Sequence, residues 1–372
     1  YVEQMKKLID VKDDGSFALD MSYFRYEYGL TMTGRKIEKL FGEPTRKQES
    51  PLTQFHKDIA RSLQELTNDV MLKLCAHAKK KTGCSKLCLA GGVALNCVAN
   101  GHILRSGMFE EIFIQPAAGD AGGALGAALA AWHKHFNGKR TPKMEHVFLG
   151  NEYSNDEIET LLKSKNLPYE RLDDAGLIDR VSTLLEGENV IGWFQGKMEY
   201  GPRSLGNRSI IADARNPENW KKVNVKIKFR ESFRPFAPTV LEEKVSEWFD
   251  LGSESPYMLI VADTLPEKRA KIPAVTHIDG SARIQTIRKD QNPRYYDLIK
   301  AFEQKTGCPV IINTSFNVRG EPIVESPENA LNCFLHTHMD YLVLGNCVLA
   351  KTDLPEAQKR ETENYLKQFV LD

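Results

Sequence analysis

The sequence predicts an α/β protein built in two parts, and three observations carry that reading. Apolar runs of strand length alternate with stretches whose apolar residues recur every three to four positions. The 372 residues exceed the usual size of one domain. A polar break, Phe136-Asn137-Gly138-Lys139-Arg140-Thr141-Pro142, interrupts the pattern and divides the chain into 1–140 and 141–372.

In the first part, Phe17 to Met21 reads as a strand and Arg35 to Phe41 as a short helix ending at Gly42. From Thr53 to Lys80, Ile59, Leu63, Leu66, Val70, Leu74 and Ala78 keep helical spacing, and Gly83 stops the helix. Lys86 to Ala90 is a short strand. It feeds Gly91-Gly92 and Asn96, then a helix to Leu104. Glycines between a strand and a helix start allow close backbone approach, and the unpaired N–H groups there favour an anion. The same glycines also serve turn geometry alone. A second unit repeats the pattern: strand Glu111 to Gln115, a turn, Asp120, and a Gly/Ala-rich helix from Ala121 to His135. Asp120 fits an N-cap.

The second part reads as helix 155–164, strand 169–172, helix 173–185 and strand 190–194. Strands follow at 209–212, 236–241, 257–262, 283–288 and 310–313, with helices at 218–225, 242–249 and 294–305. A hairpin about Gly345-Asn346 and a polar helical tail from Pro355 close the chain.

Charge is balanced overall, with 50 basic and 50 acidic residues, so no global bias points to nucleic acid or an anionic membrane. The apolar run Ala121 to Trp132 is too short to span a bilayer. Hydrophobic residues are 41% and charged residues 27%, the balance of a globular protein. The seven cysteines form no zinc pattern and read as reduced and buried, as in a cytoplasmic protein.

The basic residues are locally concentrated. Lys197 to Arg234 holds ten Lys or Arg and four Asp or Glu, interleaved with the turn formers Gly201-Pro202, Gly206-Asn207 and Arg234-Pro235. A solvated face needs no turns between its arginines. Turns let several guanidinium forks converge on phosphate oxygens. Lys228 and Arg230, one residue apart, share a side if extended. The loop Thr314 to Pro322 adds hydroxyls, an amide and Arg319 just after a strand, a second candidate phosphate or carbonyl site.

The runs LAGGVALNCVAN, QPAAGDAGGALGAA, GKMEYGPRSLGNRSI, FRESFRPFAPTV and NTSFNVRGEPIV resemble the NodU-type O-carbamoyltransferases, in order, over about residues 50–350. The resemblance implies the second half of an ASKHA-like ATPase domain followed by a YrdC-like twisted α/β domain. It implies that carbamoyl phosphate and ATP give carbamoyl adenylate, and that the carbamoyl group then passes to a small-molecule hydroxyl beside a divalent metal, iron or similar. The YrdC pattern Lys-x-Arg with a distant Ser-x-Asn falls on Lys228-Phe229-Arg230 and Ser315-Phe316-Asn317. By resemblance, Lys228, Arg230, Arg203 and Arg234 are catalytic. Lys197, Arg208, Thr314, Ser315, Asn317, Arg319, Gly91, Gly92 and Asn96 bind carbamoyl phosphate and ATP, and Asp120 is a metal ligand.

Two departures stand out. The family's His-x-x-x-His metal motif has no counterpart, since His133 and His135, like His336 and His338, are two apart. The family's N-terminal glycine-rich phosphate segment is also missing. The expectation is therefore a C-terminal portion of a longer enzyme, with adenylation intact, transfer compromised and no tight transition-metal site. An apolar face within 50–140 is expected to be uncovered, leaving room for self-association. Two other readings stay open: a tRNA threonylcarbamoylation-type enzyme, and a nucleotide-binding module without turnover.

Overall fold

A computed structural model describes residues 1–47, 50–140, 144–228 and 234–355. The chain divides into two compact units, 1–115 and 116–372.

The first unit contains α1 (Val2–Met5), the hairpin β1 (Ile9–Val11) and β2 (Phe17–Leu19), and α2 (Arg35–Phe41). Then come α3 (Gln54–Thr82), β3 (Lys86–Leu89), α4 (Cys97–Arg105) and β4 (Glu111–Ile114). α3 starts at a Thr53–His56 capping box. Its apolar stripe packs Leu66 and Val70 against Met5, and Cys75 joins a cluster with Ile103 and Phe109. β3 and β4 form a two-stranded parallel sheet. The cysteine expectation is corrected here: Cys88 is exposed, because β3 alternates between packed and open sides, Cys84 is exposed just before the strand, and Cys97 at the start of α4 is half-buried. Cys75, Cys308, Cys333 and Cys347 are buried, and all seven are free thiols.

The second unit opens with α5 (Ala121–Lys134), which has no buried residue although it is apolar all round. α6 (Asn155–Ser164), β5 (Glu170–Arg171), α7 (Asp174–Glu186), β6 (Ile191–Phe194), β7 (Arg208–Asp213), α8 (Pro217–Lys221) and β8 (Ala237–Leu241) follow. The rest is α9 (Val245–Trp248), β9 (Ile260–Asp263), α10 (Pro266–Arg269), β10 (Ser281–Ile287), α11 (Pro293–Thr306), β11 (Val310–Ser315), α12 (Pro327–Leu335), β12 (Tyr341–Leu344) and β13 (Cys347–Ala350). The polar tail lies outside the described residues.

Nine strands form one mixed sheet in the order β5-β13-β12-β6-β7-β11-β8-β10-β9. Its central strands are buried along their whole length, which fits their continuous apolar runs. β11 is inserted between β7 and β8, antiparallel to both. Buried polar groups on this sheet are paired with one another: Thr239 Oγ1 donates to Gln285 Oε1 at 2.7 Å and Asn313 Nδ2 donates to the same oxygen at 2.8 Å. This sheet sets the ends of β6, β7 and β11 side by side, and the candidate site is built there.

Candidate functional site

α8 begins behind an Asn216 cap with Pro217 at its first position, then passes into a π-helical turn, Lys222–Ile227. Lys228 closes that turn in helical conformation, with φ −83° and ψ −17°. The helix read over 218–225 thus runs on to Ile227, and Lys228 follows it in helical backbone, so the shared side that Lys228 and Arg230 would have if extended is not set by Lys228. Lys228 is 2% exposed. Its ammonium donates to the Ser315 carbonyl, to Ser315 Oγ at 3.1 Å, to the Asn317 carbonyl at 2.9 Å and to Asn317 Oδ1 at 2.6 Å. Four oxygens thus compensate one buried cation. Ser315 Oγ also donates to Asn317 Oδ1 at 2.7 Å, and Asn317 Nδ2 donates to the Glu321 carbonyl at 2.6 Å. The two halves of the sequence pattern meet in space. Arg230 lies outside the described residues.

The segment from Glu199 to Arg208 frames this cluster. Gly206 has φ +112°, and a Cβ there would come within 2.3 Å of the Tyr295 ring. Gly201 has φ +124°, and its added Cβ would stand 3.0 Å from the Pro116 carbonyl oxygen. The Tyr200 hydroxyl donates to the Ala121 carbonyl. The loop therefore packs on the turn that carries Asp120. Glu199 Oε1 accepts N–H bonds from Leu205 at 2.7 Å, Asn207 at 2.8 Å and Arg208 at 3.2 Å.

The arginines take different positions. Arg208 is fully buried, with its guanidinium 3.6 Å from the centre of the Phe194 ring. It donates to the carbonyls of Gln195 at 2.6 Å, Asn207 at 3.1 Å and Asn151 at 2.9 Å. Burial pulls its pKa down to about 10, against the pull of Glu199 and Glu325. These carbonyls occupy the fork that the sequence reading assigned to phosphate. Arg203 is half-buried, and its Nε is enclosed without a hydrogen-bond partner among the described residues. Arg234 is exposed, and its carbonyl accepts from Trp220 Nε1 at 3.0 Å and Asn224 Nδ2 at 2.8 Å. Thr314 and Arg319 are half-buried on either side of Ser315 and Asn317.

Lys197 is exposed and lines a cleft of about 950 Å³, together with Gln195, Asn207, Asn292, Arg294 and Asn346. Its amides are tied to one another: Asn292 Nδ2 donates to Asn207 Oδ1 at 2.9 Å, and Arg294 Nη1 donates to Gln195 Oε1 at 2.7 Å.

In the first unit, Gly91 and Gly92 are exposed. Asn96 caps α4, accepting from the Ala99 N–H at 3.1 Å, and pairs with Gln64. Asp120 is exposed and makes no capping hydrogen bond. Among the described residues no three His, Cys, Asp or Glu side chains are grouped to hold a metal, so the residues present do not fit the implied ion. No helix among them is long and apolar enough to cross a membrane.

Two features escaped the sequence reading. Glu199 is an acid inside a basic stretch, which counting charges by sign discards. α12 is announced by Ser326-Pro327-Glu328-Asn329, an N-cap with proline at the first helical position, followed by Ala330, Leu331, Phe334 and Leu335 at helical spacing.

Comparison with known proteins gives the chain its relatives. The description "Carbamoyltransferase N-terminus" matches residues 2–129, and "Carbamoyltransferase C-terminus" matches residues 182–351. Uncharacterized protein sll1178 of Synechocystis sp. is 51% identical over 394 residues, covering 99% of this chain and 64% of its own length. Nodulation protein NolO of Bradyrhizobium diazoefficiens is 43% identical over 312 residues, covering 82% of this chain and 57% of its own length. The chain thus spans less than two thirds of the length of these curated relatives. Among solved structures, full-length HypF in the phosphate- and nucleotide-bound form covers 50% of this chain and 22% of its own at 18% identity, with a TM-score of 0.33, too slight a likeness to bear on the fold. With both family descriptions matched in order and relatives at least 43% identical over at least 82% of its length, the chain belongs to the carbamoyltransferase family.

Proposed function

We propose that this chain is the part of an O-carbamoyltransferase that forms carbamoyl adenylate from carbamoyl phosphate, water and ATP with release of phosphate and pyrophosphate, the carbamoyl group then passing to a small-molecule hydroxyl with release of AMP. The observation that carries the reading is the buried contact of Lys228 with Ser315 and Asn317. A cation enclosed at the end of a sheet, beside a loop of hydroxyl and amide groups, suits a displacement at phosphorus. Such a step is catalysed mainly by positioning and electrostatics. Lys228 sets the positive field and fixes Ser315 and Asn317, which orient the carbamoyl or α-phosphate oxygens. Arg203, Arg230 and Arg234 supply the forks for phosphate. Asp120 offers one carboxylate, fewer ligands than an N/O metal site needs, so the transfer step calls for groups beyond this cluster.

The test is exchange of labelled pyrophosphate into ATP by the purified chain. Exchange that requires carbamoyl phosphate is expected. Exchange that ignores carbamoyl phosphate, or none at saturating substrates, rejects the proposal.

A further inference from the structure

Glu199 stands near the start of the stretch that holds ten cations, yet it is only 6% exposed and its second oxygen, Oε2, is enclosed without a hydrogen-bond partner among the described residues. A carboxylate so placed disfavours any anion nearby, and a neutral residue would spare that cost. Its bonds explain its presence. The chain turns at Gly206, so the N–H groups of Leu205 and Asn207 have no strand opposite them, and Glu199 Oε1 accepts both, together with the N–H of Arg208.

The peptide of Arg208 then carries the constraint onward. Its N–H is held by Glu199, and its carbonyl accepts the Phe316 N–H at 3.0 Å. Phe316 lies between Ser315 and Asn317, the two residues that enclose the Lys228 ammonium. On its other side the same loop carries Arg203 and rests on the turn at Pro116 through Gly201. One carboxylate oxygen is thus joined by consecutive hydrogen bonds, through the Arg208 peptide, to the Ser315–Asn317 loop, and at the Leu205 N–H it holds the loop that carries Arg203.

We infer that Glu199 is a positioning residue, whose single oxygen sets the path of residues 203–208 and thereby the placement of Arg203 and of the Ser315–Asn317 loop. It touches no substrate and acts through its acceptor oxygen. The kinetic arm of the test rests on the proposed adenylation chemistry, and the exchange of backbone amides does not.

The experiment uses the full chain with Glu199→Ala, Glu199→Gln, Arg203→Ala and the double variant Glu199→Ala/Arg203→Ala. In wild type, the amides of Leu205, Asn207 and Arg208 are expected to resist hydrogen exchange. They should lose that protection in Glu199→Ala and keep it in Glu199→Gln, which retains an acceptor oxygen. In pyrophosphate exchange, Glu199→Ala should raise KM for carbamoyl phosphate about tenfold or more and change kcat less than about threefold. Glu199→Gln should restore most of that loss, and adding Glu199→Ala to Arg203→Ala should raise KM by clearly less than it does in wild type, the remainder coming through the Ser315–Asn317 loop. Rapid exchange of the three amides in folded wild type overturns the inference, as does a Gln variant no better than Ala, or a double variant whose losses multiply. If Glu199→Ala does not fold, the wild-type and Gln arms decide. If wild type shows no carbamoyl-phosphate-dependent exchange, the adenylation proposal falls and the amide result still judges Glu199.

Discussion

Lys228 Nζ lies 2.6 Å from Asn317 Oδ1, although 89 positions separate the two residues in the chain. The contact joins the end of a π-helical turn to the loop after β11. It also gives the buried lysine a structural role beside the chemical one proposed for it.

Lys228→Ala should therefore act twice. Pyrophosphate exchange should fall about 10²–10³-fold, or roughly 2–4 kcal/mol of transition-state stabilisation. The fold should lose about 1.5–3 kcal/mol, because the oxygens of Ser315 and Asn317 would be left without their charged donor. Denaturant midpoints and exchange rates on one preparation separate the two effects. Unchanged exchange would remove Lys228 from the chemistry.

Arg208 should behave in the opposite way. Its planar fork reaches three backbone carbonyls and stacks on Phe194, and a lysine cannot reproduce that geometry. Arg208→Lys should destabilise by about 1–3 kcal/mol. Well below the melting temperature, KM for ATP and carbamoyl phosphate should move less than about threefold. A large rise in KM with an intact melting curve would return Arg208 to the ligand.

Asp120 is exposed and caps nothing. Asp120→Ala should shift unfolding free energy by less than about 0.5 kcal/mol, where loss of a working cap would cost about 1 kcal/mol. Metal analysis of the untagged chain should find substoichiometric iron and zinc in both proteins. Stoichiometric metal in wild type that is lost in the variant would contradict this.

His277 provides a pH dependence away from the site. Burial pulls its pKa from 6.5 to about 4, with Asp279 opposing, and its Nδ1 lies 3.2 Å from Ser281 Oγ. The unfolded chain therefore binds more protons than the native one between these values. Its contribution to stability is complete above about pH 6.5 and is lost as pH falls towards 4, by roughly 2–3 kcal/mol. In His277→Gln, the slope of unfolding free energy between pH 6.5 and 4 should flatten. An unchanged slope would assign the acid sensitivity elsewhere.

Much of the fold was legible because its signals are local. α3 and α6 follow from apolar spacing and their stop or cap residues, and the sequence placed α6 at its observed bounds. The buried strands of the second unit follow from short apolar runs. The Lys228 cluster was legible as a motif, since its two halves are short residue patterns. The work of Glu199 and Arg208 was not, because it depends on where backbone groups find partners after the sheet closes. A count of charges cannot tell an arginine that reaches for ligand from one that ties three carbonyls.

The insertion of β11 between β7 and β8 also bears on how the protein is made. Both neighbours leave the ribosome before it, and the strand that joins them follows β8 by roughly 70 residues. At ordinary elongation rates that delay is about 4–14 s. During it, β7 and β8 each carry an open edge into which another chain could pair. Closing so long a loop also slows the docking of β11. β11 brings Ser315 with it, so the Lys228–Ser315–Asn317 cluster forms only once this strand is made, and conditions that slow translation near residues 241–310 prolong the exposure of those edges.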